Sequence, residues 1–167
     1  MKLNIAKFLR SVFTFRSSPR VPAQLLWTSV QRGHLEAAID VLQHYGAPPH
    51  GDEVQVLLIQ DRIVPCDLSM YSLRPDQVAA AAWSEIEGRV LVDPVVLMRT
   101  PPRCVAVTLM HENVHRRTPG WDTDREHSIA WALQQQLQTA WVAVNGQPWN
   151  TVRPGEESWS DYIHTLN

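Results

Sequence analysis

The chain has few cysteines and little net charge. Its 167 residues include two cysteines, Cys66 and Cys104, and acidic and basic residues nearly balance, with a formal net charge of -2. A domain of this length does not need disulfides for stability, so we expect two reduced, buried thiols, as in cytoplasmic proteins. The small net charge gives no electrostatic basis for a nucleic acid as the main partner.

Long hydrophobic runs are also missing from the sequence. No segment is long enough to span a bilayer, and Lys7 and Arg10 interrupt the N-terminal segment where a signal peptide would be apolar. Residues 1–20 instead predict a basic amphipathic helix that packs on the rest of the chain or contacts a partner or a membrane surface. We expect a cytoplasmic protein in which residues 21–167 form a single domain.

Apolar periodicity and turn residues predict a mixture of helices and strands. Gly46 is the expected C-cap of the first helix. Pro65 is expected in an edge strand, because proline donates no ladder hydrogen bond. The predicted elements are helix 23–45, strand 53–59, strand 62–69, helix 74–83, strand 88–94, helix 104–117, a turn at 118–122 and helix 123–144.

The strongest chemical signal is the sequence H-E-x-x-H at His111, Glu112 and His115. Residues four apart share one face of a helix, so both imidazoles can reach one metal ion. Glu112 is rotated by about 100° from His111 and can accept a proton from water beside the metal. A catalytic zinc site needs a third protein ligand and an open position for water, whose pKa the ion lowers to about 7.

Two adjacent residues, Glu126 and His127, are candidates for the third ligand. A helical count favours Glu126, because it shares a face with Leu133 and other apolar residues. The sequence T-D-R-E at residues 123–126 also spells a capping box, in which Glu126 bonds the backbone of Thr123 and leaves His127 for the metal. From the residues alone, both ligands remain open.

Residues 88–131 resemble the SprT-like and WLM group of zinc peptidases. In that group a strand similar to "RVLVDPVVL" precedes the H-E-x-x-H helix, and a third histidine begins the next helix, followed by a small residue and an aromatic one. The stretches "HENVH" and "REHSIAW" match this outline, with His127, Ser128 and Trp131 in the corresponding places.

This resemblance implies a fold, a ligand set and an activity. The fold is a compact α+β, zincin-like domain, in which a small β-sheet is packed by the H-E-x-x-H helix and the long helix that follows. Zn²⁺ is held by His111, His115 and His127, with Glu126 as the alternative third ligand. The activity is hydrolysis of peptide bonds in a protein or peptide substrate by a metal-activated water, with Glu112 as general base.

Other polar residues have weaker patterns. Asp122 and Asp124 suit either the orientation of a ligand histidine or the cap of a helix. Residues that could stabilise an oxyanion are Tyr71, Tyr162 and His164. The remaining histidines are expected at the surface or half-buried: His34, His44 and His50.

Two other classes of function also fit the sequence. The first is a non-catalytic binding domain stabilised by zinc, which requires a fourth protein ligand, with Cys104 and Asp122 as candidates. The second is a metal-free interaction protein that makes contacts through its basic N-terminal helix and its tryptophan-rich tail.

Overall fold

The computed structural model describes residues 26–46, 48–68 and 80–149. These residues form five helices and one three-stranded sheet, which confirms the mixed α+β architecture for the described part of the chain. None of the described helices combines the length and the apolar character needed to cross a membrane. Predictions that lie outside the described residues concern the N-terminal segment 1–20, Tyr71, Tyr162 and His164.

In chain order the described elements are α1 (Ser29–Tyr45), α2 (His50–Ile59), β1 (Ile63–Pro65), β2 (Ala81–Ser84), β3 (Arg89–Val92), α3 (Pro94–Arg99), α4 (Pro102–Arg117) and α5 (Thr123–Asn145). Helix α4 contacts α1, α2, α5 and β2, so it is the central helix of the described region.

The sheet has the strand order β1-β3-β2, with β1 parallel and β2 antiparallel to β3. The prediction that Pro65 belongs to an edge strand is confirmed. The central strand β3 is buried over Val90, Leu91 and Val92, because both of its neighbours and the surrounding helices cover it. Strand β2 forms the other edge and is the strand that contacts α4.

Helix α1 begins with a capping box. The Thr28 hydroxyl accepts from the N–H of Gln31, and the Gln31 side chain accepts from the N–H of Thr28. The helix ends at Gly46 as predicted. Residues 26–28 precede the helix and Leu26 is exposed, so the prediction of helix over these three residues is wrong. The residues that α1 buries recur at helical spacing: Leu35, Ala38, Ile39 and Leu42.

The predicted strand at residues 53–59 is wrong, because this segment belongs to helix α2. Val54, Leu57 and Leu58 are buried with helical spacing, and α2 packs against α1 and α4 through this region. Glu53 lies in the first turn, where an acidic side chain interacts favourably with the helix dipole. The high β-propensity of the segment is thus outweighed by packing on two helices.

The predicted helix at residues 74–83 is wrong at its C-terminal end. Ala81, Ala82 and Trp83 belong to strand β2, where Ala82 lies opposite Leu91 of β3. Alanine favours helices, but a strand here extends the sheet beside β3. Residues 74–79 are outside the described part of the chain.

The strand expected over "RVLVDPVVL", residues 89–97, is wrong at its C-terminal end, because residues from Pro94 belong to helix α3. The Asp93 carboxylate accepts from the N–H groups of Val95 and Val96 at 2.9 and 3.1 Å, and Pro94 occupies the first turn. This cap ends the strand and starts a helix within one residue.

The core lies between the sheet and helices α1, α2, α4 and α5. Both cysteines are reduced and buried, as predicted, with Cys104 in the main apolar cluster and Cys66 in a small cluster beside the sheet. Helix α4 contributes the largest buried set: Cys104, Val105, Ala106, Val107, Leu109, Met110 and Val114. Because Cys104, Val105, Ala106 and Val107 are consecutive, α4 is buried on all sides near its start.

Candidate metal centre

The H-E-x-x-H residues lie in the last two turns of α4. Pro102 starts this helix and Thr118 follows its end, so the predicted helix is confirmed in type and extent. His111 and His115 are one turn apart, and their Nε2 atoms lie 3.0 Å from each other. The two rings meet edge to face, with centroids 4.8 Å apart.

A tight turn then reverses the chain into α5. Gly120 has φ of +77°, a left-handed conformation that glycine adopts without steric cost. The Trp121 N–H donates to the Thr118 carbonyl, and the Asp122 carboxylate caps α5 by accepting from the Asp124 N–H at 2.9 Å. The turn therefore brings the first turn of α5 against the last turn of α4.

This arrangement brings a third imidazole to the first two. The ring of His127 lies 5.1 Å from that of His111 and 5.4 Å from that of His115, measured between centroids. One potential ligand atom from each of His111, His115 and His127 lies within 4.8 Å of the others. We call these three residues the His cluster.

The spacing of the His cluster suits a metal ion. Zinc–nitrogen bonds of about 2.0–2.1 Å place two nitrogens of a tetrahedral site roughly 3.3 Å apart. The separation of 3.0 Å between the Nε2 atoms of His111 and His115 is close to this value. The cluster could therefore hold a metal ion with little adjustment of this pair.

The electrostatic environment favours the neutral form of two of the three imidazoles, those of His111 and His127. Burial, followed by the proximity of His115 and His127, lowers the pKa of His111 from 6.5 to about 3. Burial and then His115 lower the pKa of His127 as well, while Glu126 and Asp124 act in the opposite direction. Neutral imidazoles have the free lone pair that a metal ligand needs.

Glu126 faces the cluster from behind His115. Its Oε2 atom lies 2.9 Å from Nδ1 of His115, and its Oε1 atom lies 2.7 Å from the Thr118 hydroxyl. The inward orientation expected from the helical count is confirmed, since Glu126 is buried. The predicted capping box is wrong: Asp122 is the N-cap, and both Glu126 oxygens are engaged elsewhere.

Glu112 is buried against the edge strand. Its Oε2 atom accepts from the backbone N–H of Trp83 in β2 at 2.7 Å. Burial raises the pKa of Glu112, and the opposing effects of His115 and of the Trp83 hydrogen bond are smaller. A carboxyl group whose pKa is raised by burial accepts and releases protons more readily than an exposed one, which suits a general base.

The residues considered as closing ligands do not join the cluster. Cys104 lies in the apolar core, and Asp122 caps α5. Asp124 is exposed and likewise stands outside the cluster. Within the described ranges, no cysteine, aspartate or glutamate completes a four-ligand set with the three histidines.

The other histidines whose exposure was predicted lie outside the His cluster. His34 is partly buried and bonds the Thr100 carbonyl at 2.7 Å, and His44 is exposed, as expected. The prediction for His50 is wrong, because His50 is buried and its Nδ1 accepts from the Asn113 amide at 3.0 Å. Nothing in the local sequence around His50 indicates this contact, since Asn113 is 63 residues away.

Two residues of the site had no sequence signal. Trp83 contributes a backbone N–H, which any residue other than proline supplies. Thr118 contributes a hydroxyl at the end of α4, and its partner Glu126 becomes a neighbour only through the intervening turn.

Family models, curated proteins and solved structures were all compared with the chain, and none matches it. The resemblance over residues 88–131 therefore stays a prediction, and the site itself is the basis for a functional assignment.

Proposed function

We propose that this protein is a zinc-dependent peptidase of the zincin type, similar to the SprT-like and WLM group. The observation that carries the proposal is the convergence of three imidazoles from two helices next to a buried acidic side chain, Glu112. His111, His115 and His127 would be the zinc ligands. Three protein ligands with one open position are the usual arrangement of a catalytic zinc site.

The donor set supports zinc as the metal. Imidazole nitrogens are good ligands for zinc, whereas magnesium and calcium prefer oxygen. When bound, zinc would supply Lewis-acid chemistry, lowering the pKa of a water molecule to about 7 and polarising a carbonyl oxygen.

Glu112 is the proposed general base. Water adds to the carbonyl carbon of the peptide bond, and Glu112 takes the proton that the water loses. Glu112 then gives this proton to the amine nitrogen as the C–N bond breaks, so the carboxylate returns to its starting state. The hydrogen bond from the Trp83 N–H to Oε2 orients the carboxylate and leaves Oε1 to carry the proton.

Strand β2 is the proposed surface for the substrate. It is an edge strand paired with β3, and the Trp83 N–H points to Glu112 instead of to β3. An extended peptide that pairs with this edge would lie beside Glu112, as in other cases of β-strand addition. The substrate class is therefore an extended or unfolded segment of a protein.

The substitution Glu112→Gln tests the catalytic role. The amide cannot accept the proton, but the three histidines are unchanged, so we expect one zinc per chain and a loss of hydrolysis of at least about 100-fold. Zinc content is measured by elemental analysis and hydrolysis with an unfolded protein substrate. Glu85→Gln is the matched control, because Glu85 is an exposed residue of the β2–β3 turn and should keep full activity.

The outcomes separate the three classes of function. Equal hydrolysis by the wild type and Glu112→Gln would contradict the peptidase. Stoichiometric zinc without hydrolysis by the wild type would favour a non-catalytic, zinc-stabilised domain. A wild-type protein that binds no zinc would favour a metal-free interaction protein.

A further inference from the structure

We infer that Glu126 is a positioning residue for the ligand His115, acting by determining which ring nitrogen of His115 carries the proton. The inference rests on the proposed zinc site. It gives Glu126 a role that is neither metal binding nor helix capping.

The first support is the geometry at His115. The Glu126 Oε2 atom lies 2.9 Å from Nδ1 of His115, and a carboxylate accepts hydrogen bonds without donating them. Nδ1 therefore carries a proton, so in the neutral imidazole that binds a metal the lone pair is on Nε2. Nε2 is the atom that lies 3.0 Å from Nε2 of His111, so the lone pair faces the interior of the His cluster.

The second support is the way in which Glu126 is itself held. The Thr118 hydroxyl lies 2.7 Å from Oε1 of Glu126 and 2.8 Å from the Val114 carbonyl. The Val114 carbonyl already accepts from the Thr118 N–H at 3.1 Å. We therefore assign the single hydroxyl proton of Thr118 to the hydrogen bond with Glu126. Glu126 and Thr118 are each only 8% exposed, which strengthens both hydrogen bonds.

These contacts link the two helices through one ligand. His115 and Thr118 belong to α4, whereas Glu126 and its neighbour His127 belong to α5. Helix α5 would therefore contribute one ligand, His127, and orient a second ligand, His115, through Glu126. A carboxylate on the second nitrogen of a ligand histidine raises its basicity and fixes its orientation.

Three substitutions with graded effects test this inference. Glu126→Ala removes the carboxylate, Glu126→Gln keeps its size without the charge, and Thr118→Val removes only the hydroxyl. We expect the zinc Kd to rise about 10–100-fold for Glu126→Ala, and less for the other two. Zinc Kd is measured by competition with a chelator of known affinity.

Asp40→Asn is the matched control. It removes the negative charge of an exposed side chain on α1, and Asp40 is not among the groups that shift the pKa of His111 or His127. We expect the zinc Kd of this variant to change by less than about threefold, because exposed charges are screened by solvent. Melting curves of the metal-free variants report whether each one folds.

A second measurement separates positioning from a purely structural role. Nitrogen-15 shifts of His115 in the metal-free protein should show the proton on Nδ1 in the wild type and a loss of this preference in Glu126→Ala. A structural contact alone would lower the melting temperature and leave the proton on Nδ1.

Each outcome bears on a specific claim. An unchanged zinc Kd in Glu126→Ala, or an unchanged tautomer of His115, would overturn the inference. A wild type that binds no zinc would overturn it together with the zinc site. Zinc binding that depends on Glu126 without any hydrolysis would support the inference and contradict only the peptidase.

Discussion

At the scale of single residues, burial acts on His111 and Glu112 in opposite directions. It lowers the pKa of the imidazole and raises the pKa of the carboxyl, because it disfavours the charged form of each group. A bound divalent cation would stabilise the ionised carboxylate and compete with protons for the imidazoles. The metal-free protein should therefore respond to pH through its buried histidines.

We expect the metal-free protein to lose stability as the pH falls from about 7 to about 5. The pKa of His111 is about 3 in the folded protein and 6.5 ordinarily, so the unfolded chain binds more protons in this window. The stability contributed by neutral His111 is thus present above the ordinary pKa and lost as the pH falls below it. The loss from this residue is about 2 kcal/mol, measured by urea unfolding with a chelator present.

Two variants control this measurement. His111→Gln should flatten the dependence on pH, whereas His44→Gln should leave it unchanged because His44 is exposed. A wild type with the same free energy of unfolding at both pH values would show that His111 is not held neutral.

At the scale of elements, a buried polar network ties α2 to α4. The Asn113 amide nitrogen lies 3.0 Å from both Nδ1 of His50 and Oε2 of Glu53, and its oxygen accepts from Nε of Arg116 at 2.7 Å. Arg116 also pairs with Glu53. Asn113 is two residues from both His111 and His115, which places it about 200° around the helix from each of them. The network therefore contacts the face of α4 opposite these two histidines.

Removing the centre of this network should destabilise the protein. Asn113→Ala leaves His50, Glu53 and Arg116 each without one partner in a region where Asn113 is fully buried. We expect a loss of about 1–3 kcal/mol in the free energy of unfolding, measured by chemical denaturation. Gln43→Ala, which removes an exposed hydrogen bond between α1 and α2, should cost less than about 0.5 kcal/mol. Equal stability of the two variants would contradict the importance of the network.

The elements also differ in how well local sequence predicts them. Helix α4 and helix α5 were predicted correctly because both are long, and α5 also carries apolar residues at helical spacing. Helix α2 and strand β2 were not, because both are short and their type depends on distant partners. Ala82, for example, is in a strand because Leu91 is available beside it.

At the scale of the whole molecule, zinc would join α4 to α5. A ligand that binds only the folded state adds to its stability, by about 2.7 kcal/mol when its free concentration is 100 times Kd. For a protein of this size we expect a chelator to lower the melting temperature by roughly 5–10 °C. Differential scanning calorimetry with zinc and with chelator measures this difference.

His127→Ala provides the test of the third ligand in the same experiment. Without this imidazole the site has two histidines from one helix, so the zinc-dependent rise in melting temperature should disappear. His44→Ala should keep the full rise, because His44 lies outside the His cluster. A full rise in His127→Ala would show that another residue holds the metal.

The sequence alone predicts the part of the site that lies within helix α4. The helical repeat alone places His111 and His115 on one face, with Glu112 about 100° around the helix from His111 and about 60° from His115. The same local pattern favoured Glu126 for the inward face of α5, and this is where Glu126 lies.

The tertiary structure was needed to show that His127 lies beside the rings of His111 and His115, whereas Glu126 contacts the Nδ1 atom of His115. Glu126 and His127 are adjacent, so a rotation of α5 by about 100° exchanges their positions. That rotation depends on where the turn at Gly120 ends, on the Asp122 cap and on how α5 packs against α4. These are contacts between segments, and local periodicity describes only the spacing within a segment.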